Sequence, residues 1–178
     1  MKVGLATLAA ELATTDRTLR RAVAQGLLRA ERPSTRTLEI PVEEREFLRR
    51  SWPLLSLLRT ALRTEPTVAL AVLFGSAARG EMHSESDVDV LVALREGADI
   101  RSLASRLSER VGLRVQLVSL ADARRAPLLL AEALREGRVL VDREGLWPRL
   151  RRQRSKVERA AAHHRDRVER EFSELFAV

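Results

Sequence analysis

Leu5, Leu8, Ala9 and Leu12 recur at the i, i+3, i+4, i+7 spacing of a buried helical face, so a short amphipathic helix is expected near the start of the chain. Thr14, Thr15 and Asp16 come next, and their side-chain oxygens suit the free amides of a helix start. A second helix is predicted over residues 17–25 and is ended by Gly26. Leu19 and Val23 share its inner face, while Arg17, Arg20, Arg21 and Ala24 share the outer one. Residues 27–30 and 36–40 then read as two short strands around a turn. Residues 42–63 have helical spacing, with a kink or break expected at Trp52-Pro53 because proline cannot donate to the helical ladder.

Beyond this point the pattern alternates. Residues 67–74 form an apolar run too short for a typical helix and predict a buried strand, and residues 87–94 predict a second one. Ile100, Leu103, Ala104, Leu107 and Val111 trace a helical stripe; residues 114–118 predict a third strand, 127–136 a helix stopped by Gly137, and 138–142 a fourth strand. This is an α/β (α+β) pattern, a mixed sheet flanked by helices. Residues 148–175 predict a long basic helix with Leu150, Val157, Ala161, Val168, Phe172 and Leu175 along one side. Packing on the sheet or on a partner helix is its expected role, and a nucleic-acid face of Arg149, Arg151, Arg152 and Arg154 the lesser alternative. The expected organisation is therefore 1–41, a small helical unit; 42–65, connecting helices; 66–145, the α/β domain; and 146–178, the basic helix.

Composition sharpens this picture. The chain has 178 residues, 45% hydrophobic and 32% charged, which is ordinary for a globular protein. No stretch approaches the roughly 18 apolar residues of a membrane span and no signal-peptide pattern opens the chain, so a cytoplasmic protein with no membrane partner is expected. The absence of cysteine excludes disulfides, thiol nucleophiles and cysteine-ligated zinc. The net charge of +7 comes from the two ends, since residues 51–145 carry as many acids as bases. Apart from Lys2 and Lys156 every basic residue is arginine, the side chain suited to gripping phosphate through a planar fork.

Two helices joined by a tight turn, the second studded with arginine, describe a helix-turn-helix. The string from Leu8 to Arg21 resembles the helix-turn-helix of bacterial winged-helix regulators, with residues 27–40 as the wing. The resemblance implies duplex DNA as a partner through Arg17, Thr18, Arg20, Arg21 and Arg36, and a homodimer on paired half-sites is expected. A packing module with a solvated arginine face is the competing reading.

The stretch richest in chemistry is Phe74-Gly75-Ser76-Ala77-Ala78-Arg79-Gly80-Glu81, followed by Ser86-Asp87-Val88-Asp89-Val90-Leu91-Val92. A glycine at a strand end lets the backbone turn sharply and approach a ligand, and the serine and the next helix start offer donors to an anion. Asp87 and Asp89 stand two residues apart on a strand, which projects both carboxylates from one face where they can share a metal. Magnesium favours such oxygen ligands beside phosphates.

Gly-Ser, ten residues, then Asp-x-Asp resembles the signature of the DNA polymerase beta-like nucleotidyltransferases, and Gly-Ser-x-x-Arg-Gly-Glu narrows the likeness to the small bacterial members. It covers about residues 66–142. The resemblance implies transfer of a nucleoside monophosphate from a nucleoside triphosphate, ATP in the first instance, to an acceptor that is a protein, an RNA or a small molecule. It assigns Gly75 and Ser76 to the phosphates and Asp87 and Asp89 to Mg2+ or Mn2+. Arg79 matches the motif arginine, which either neutralises triphosphate charge or braces the loop through an ion pair. The family's third carboxylate is replaced here by Gln116, in Val115-Gln116-Leu117-Val118. An amide carries no charge and takes no proton near neutral pH. This departure supports the alternative, a catalytically weakened nucleotide-binding transcriptional regulator or antitoxin-like protein with a toxin partner. Asp122 lies past the strand and is a poor substitute. His83 reads as a polar loop residue, the adjacent His163 and His164 point about 100° apart on a helix, and Trp52 and Trp147 read as core anchors.

Overall fold

The computed structural model describes residues 2–176 except Thr35, Arg36 and Ser84. Strand β1 (Val3–Gly4) leads into helices α1 (Leu5–Glu11) and α2 (Asp16–Ala24); β2 (Glu39–Ile40) then precedes the long helix α3 (Val42–Arg63). The turn between α1 and α2 puts Ala13 at φ 49°, a left-handed conformation for a residue with a Cβ. Thr15 caps α2 by accepting from the Thr18 amide at 3.1 Å. Leu8, Leu19 and Ala22 bury the facing sides of the two helices.

Residues 27–30 form no strand. Leu27 and Leu28 are consecutive and both buried, which an alternating two-faced wing strand does not allow. Instead β2 pairs antiparallel with β1, Val3 against Ile40, and Glu31 bridges to Glu39. The turn residues Thr35 and Arg36 lie outside the described residues.

Helix α3 runs unbroken through Pro53, contrary to the expected interruption. Pro53 is exposed, as is Arg49 one turn earlier, so the carbonyl that loses its amide partner is open to water. On its other side Phe47, Leu48, Trp52, Leu55, Leu58 and Leu62 are buried in a core that includes Leu8, Leu19 and Leu27 on one flank and Val68, Ala71 and Leu73 on the other. One continuous apolar core therefore joins the N-terminal helices to the sheet through α3.

The sheet has the order β5-β4-β3-β6, with β3 (Val68–Phe74), β4 (Val88–Leu94), β5 (Val115–Ser119) and β6 (Arg138–Asp142). β3 lies antiparallel to both β4 and β6, whereas β4 and β5 are parallel and linked through α5 (Ile100–Val111). Every residue of β3 is buried, as its unbroken apolar run requires. Ala71, Leu73, Val88, Val90 and Val92 face the core on the α3 side. Leu70, Val72, Phe74 and Leu91 face a second core built with α6 (Leu120–Ala123), α7 (Pro127–Glu136) and α8 (Leu146–Arg152). The expected long C-terminal helix is two helices: α8 ends at Arg152, with Gln153 between, and α9 (Arg154–Phe176) continues. Asp142 caps α8 by accepting from the Leu146 and Trp147 amides at 2.9 and 3.1 Å, which fixes its start two residues before the apolar stripe suggested. Among the described residues no helix is long and apolar enough to cross a membrane.

Candidate nucleotide and metal site

Strand β3 ends at Phe74 and turns directly into the short helix α4 (Gly75–Arg79). Gly75 adopts φ +70°, and a Cβ added there would sit 2.9 Å from Asp89 Oδ2. Two constraints therefore demand glycine here: the left-handed backbone and the approach of a carboxylate from the next strand. No side chain caps the start of α4, so its first amides stay available to a ligand. Ser76 is half-buried, and its hydroxyl makes no hydrogen bond among the described residues.

Phe74 is the register partner of Asp89 across the β3–β4 ladder, and Asp89 is in turn the partner of Gln116 on β5. Strand periodicity puts Asp87 on the same face as Asp89. Gly75, Asp87, Asp89 and Gln116 thus converge at one end of the sheet. Asp87 lies 3.6 Å from the exposed Arg114 guanidinium. The Asp89 carboxyl is pushed up from the usual range, chiefly by burial and then by the charges of Asp87 and Glu132. An acid raised by its like-charged neighbours is a place where a cation lowers the energy. Gln116 is exposed and adds an amide oxygen to the edge of this face.

These residues fit one divalent ion. Two carboxylates, one just before β4 and one in it, with open positions toward the α4 amides, match the few protein ligands and many waters or phosphate oxygens that magnesium keeps. Among the described residues no group of three or more His, Asp or Glu is placed to hold a metal. Asp122 does not complete the set: it receives the Ser119 hydroxyl at 2.6 Å at the start of α6 and lies on the exposed surface.

Arg79 is engaged by carboxylates on two segments of the chain. Its guanidinium pairs with Glu81 at 2.6 Å, Glu132 at 3.1 Å and Glu136 at 2.8 Å, and these carboxylates hold its pKa above the ordinary arginine value. Of the two roles open to it from sequence, bracing is the one its contacts support. Gly80 ends α4 at φ +78°, and a Cβ there would meet Phe47 Cδ2 at 2.9 Å. Behind α4, buried Arg138 donates to the Ala78 carbonyl at 2.8 Å, forks onto Glu44 at 2.6 and 2.9 Å, and lies over the Phe47 ring 3.6 Å from its centre. Glu132, Glu136 and the Glu44–Arg138 pair escaped the sequence reading. Glu132 and Glu136 are one turn apart on α7, but only the tertiary crossing of α7 over the sheet brings them to the loop.

The other predicted residues lie apart from this site. Arg17, Thr18, Arg20 and Arg21 all belong to α2. Arg20 is paired with Asp16 at 2.6 Å, while Arg17 and Arg21 are exposed and have no ion-pair partner among the described residues. Arg36 lies outside the described residues. His83 is an exposed loop residue whose amide donates to Ser86 Oγ at 2.8 Å.

Three comparisons bear on this arrangement. Curated proteins gave no match. Among solved structures, a toxin-antitoxin with AMP-PNP is similar at 23% identity and a TM-score of 0.53, covering 69% of this chain and 98% of that one. The toxin-antitoxin MntA-HepT is similar at 20% identity and a TM-score of 0.50, covering 71% and 99%. At these identities the likeness concerns the fold. Residues 57–145, half of the chain, match the family model Polymerase beta, Nucleotidyltransferase, and they contain Gly75, Ser76, Arg79, Asp87, Asp89 and Gln116. The chain belongs to the polymerase beta nucleotidyltransferase family.

Proposed function

We propose that the chain binds a nucleoside triphosphate, ATP in the first instance, with Mg2+ or Mn2+ and transfers its nucleoside monophosphate to an acceptor hydroxyl. The observation that carries this reading is the approach of the Gly75 turn to Asp89, with 2.9 Å left for a Cβ. It brings the anion-binding amides and the carboxylates into one space. Asp87 and Asp89 would hold the ion, which supplies charge neutralisation and orientation of the phosphates. The amides at Gly75 and Ser76 and the free Ser76 hydroxyl would hold the phosphate oxygens. In the transfer, the acceptor hydroxyl gives up its proton to solvent as its oxygen bonds to the α-phosphorus, the bond to the bridging oxygen breaks, and pyrophosphate leaves. Arg79 keeps the loop in place through its three carboxylates. The chain's cysteine-free composition favours a cytoplasmic setting. The test is transfer of label from α-labelled ATP to components of a lysate with either metal. Label that depends on Asp87 and Asp89 supports the reading; label unchanged in Asp87→Asn and Asp89→Asn removes it.

Gln116 favours a second reading. It takes the register position beside Asp89 where the family resemblance implies a third carboxylate. Losing a transition-state ligand costs several kcal/mol, each 1.36 kcal/mol being about tenfold in rate. The chain would then be a nucleotide-binding regulator or antitoxin-like partner, with α2 addressing duplex DNA and a homodimer reading paired half-sites. The similar folds in toxin-antitoxin structures, one with AMP-PNP, are consistent with a protein partner and an adenine nucleotide. Gln116→Asp separates the two readings: a strong gain of transfer activity identifies the natural chain as weakened, and a natural chain that already transfers label with no gain, or a loss, in the variant supports a competent enzyme.

A further inference from the structure

Arg59, on α3, is only 6% exposed, yet no carboxylate pairs with it among the described residues. One of its terminal nitrogens donates to the Gln25 side chain, and its Nε is buried with no hydrogen-bond partner among the described residues. The neighbouring charges are Arg63, one turn on, and Arg21 on α2; with burial as the main cause, they press its pKa down to about 10. A buried guanidinium with only positive neighbours is an expensive arrangement for a protein to keep unless something anionic reaches it.

Arg59 also lines a cavity of about 410 Å³ between the α1–α2 turn and α3, within the size range of small-ligand sites. The lining includes Arg63 and the hydroxyl residues Thr14, Thr18, Ser56 and Thr60. The hydroxyls of Thr14, Ser56 and Thr60 make no hydrogen bond among the described residues, and Arg63 has no ion pair. The cavity thus gathers unused donors, two guanidinium groups and no acid.

We propose that this cavity is a binding site for a small phosphate-bearing molecule, with Arg59 as the charge anchor and Arg63 and the three free hydroxyls completing its contacts. A phosphate dianion matches two positive charges, and its three terminal oxygens can accept from more donors than a carboxylate can. The site is built from α3 and the segment around α2, away from the Gly75 turn, and needs no divalent ion. It is independent of the transfer reaction.

Thermal unfolding of the full chain in EDTA tests this, with inorganic phosphate or AMP as probe and chloride or acetate at matched ionic strength as controls. The expected result is a saturable rise in Tm with phosphate, about 5 °C at a hundredfold excess over Kd. AMP exceeding inorganic phosphate would identify a phosphomonoester, and the reverse the free anion. Asp89→Asn should keep the rise. Arg59→Met should abolish it, and Arg63→Gln, at an exposed position safe for folding, should shift the midpoint to several-fold higher phosphate. A rise that is linear, equalled by acetate or retained in both arginine variants overturns the proposal, because bulk salting effects would account for it.

Discussion

Gly75 shows how one residue can be held by two unrelated demands. Its φ of +70° costs an L-residue about 1–2 kcal/mol, and a methyl group would press on Asp89 Oδ2. Gly75→Ala should therefore lose about 1–2 kcal/mol or more in urea unfolding. The cost should shrink when Asp89→Ala is added, since the carboxylate is then absent; strictly additive losses would mean that the two do not touch. Asp89 itself opposes folding. Its carboxyl is raised in the folded state by burial and by Asp87 and Glu132, so the folded state binds its proton more tightly than the unfolded chain does. The stability this proton brings is present below the unfolded value of about 3.9 and is lost as pH rises through the raised folded value. Asp89→Asn should accordingly have the higher Tm at pH 7–8 in EDTA, with its advantage fading as the pH falls toward the unfolded value of about 3.9. Magnesium should narrow the gap by stabilising the natural protein alone. A wild type more stable than the variant at neutral pH without metal would contradict this account.

Among the elements, α4 is too short to hold its own position, having only Gly75–Arg79. It is fixed from behind by Arg138 of β6, which spans Ala78 of α4, Leu27 and Glu44 of α3. Removing one member of such a buried pair leaves an uncompensated charge at about 3–5 kcal/mol. Glu44→Gln should show a loss of this size in urea unfolding, and Glu44→Leu with Arg138→Met should recover much of it; full stability in Glu44→Gln would show that the pair carries no load. Glu44 and Arg138 stand 94 residues apart, which is why the pair was invisible in the sequence. What was legible is what local periodicity encodes. The apolar run of β3, the stripe of α5 and the Pro127-to-Gly137 bounds of α7 all appear where their patterns put them. The convergence of Gly75 with Asp89 also followed from motif spacing plus strand alternation. The misses are tertiary or cooperative: two-residue strands that exist only because Val3 meets Ile40, a helix that absorbs Pro53 because its other face is anchored, and Glu132, which reaches the site only when α7 packs over the sheet.

At the scale of the whole molecule, two groups of charges stand apart. Glu81, Glu132 and Glu136 gather around Arg79, with Glu132 also acting on Asp89, while arginines without an ion pair among the described residues lie on α2 and on α8. These two surfaces are neighbours. Val23, Ala24 and Gly26 at the end of α2 share a cleft of about 730 Å³ with Trp147, Arg151 and Arg152 of α8. The Val139 amide donates to the Gly26 carbonyl at 3.1 Å and fixes the end of α2 against β6. A duplex lying on the proposed α2 face would thus meet arginines from both ends of the chain, and the sheet between them would hold their spacing. Binding of this kind releases counterions, and the logarithm of affinity falls with the logarithm of salt at about 0.9 per phosphate contacted. Replacing Arg17 and Arg21 by Gln should therefore flatten that slope by about 2, and adding Arg151→Gln and Arg152→Gln should flatten it by about 2 more. Fluorescence anisotropy of a labelled duplex across a salt series measures this. A slope unmoved by the first pair but reduced by the second would shift the nucleic-acid surface from α2 to α8, and a wild type with no binding at low salt would remove DNA as a partner altogether.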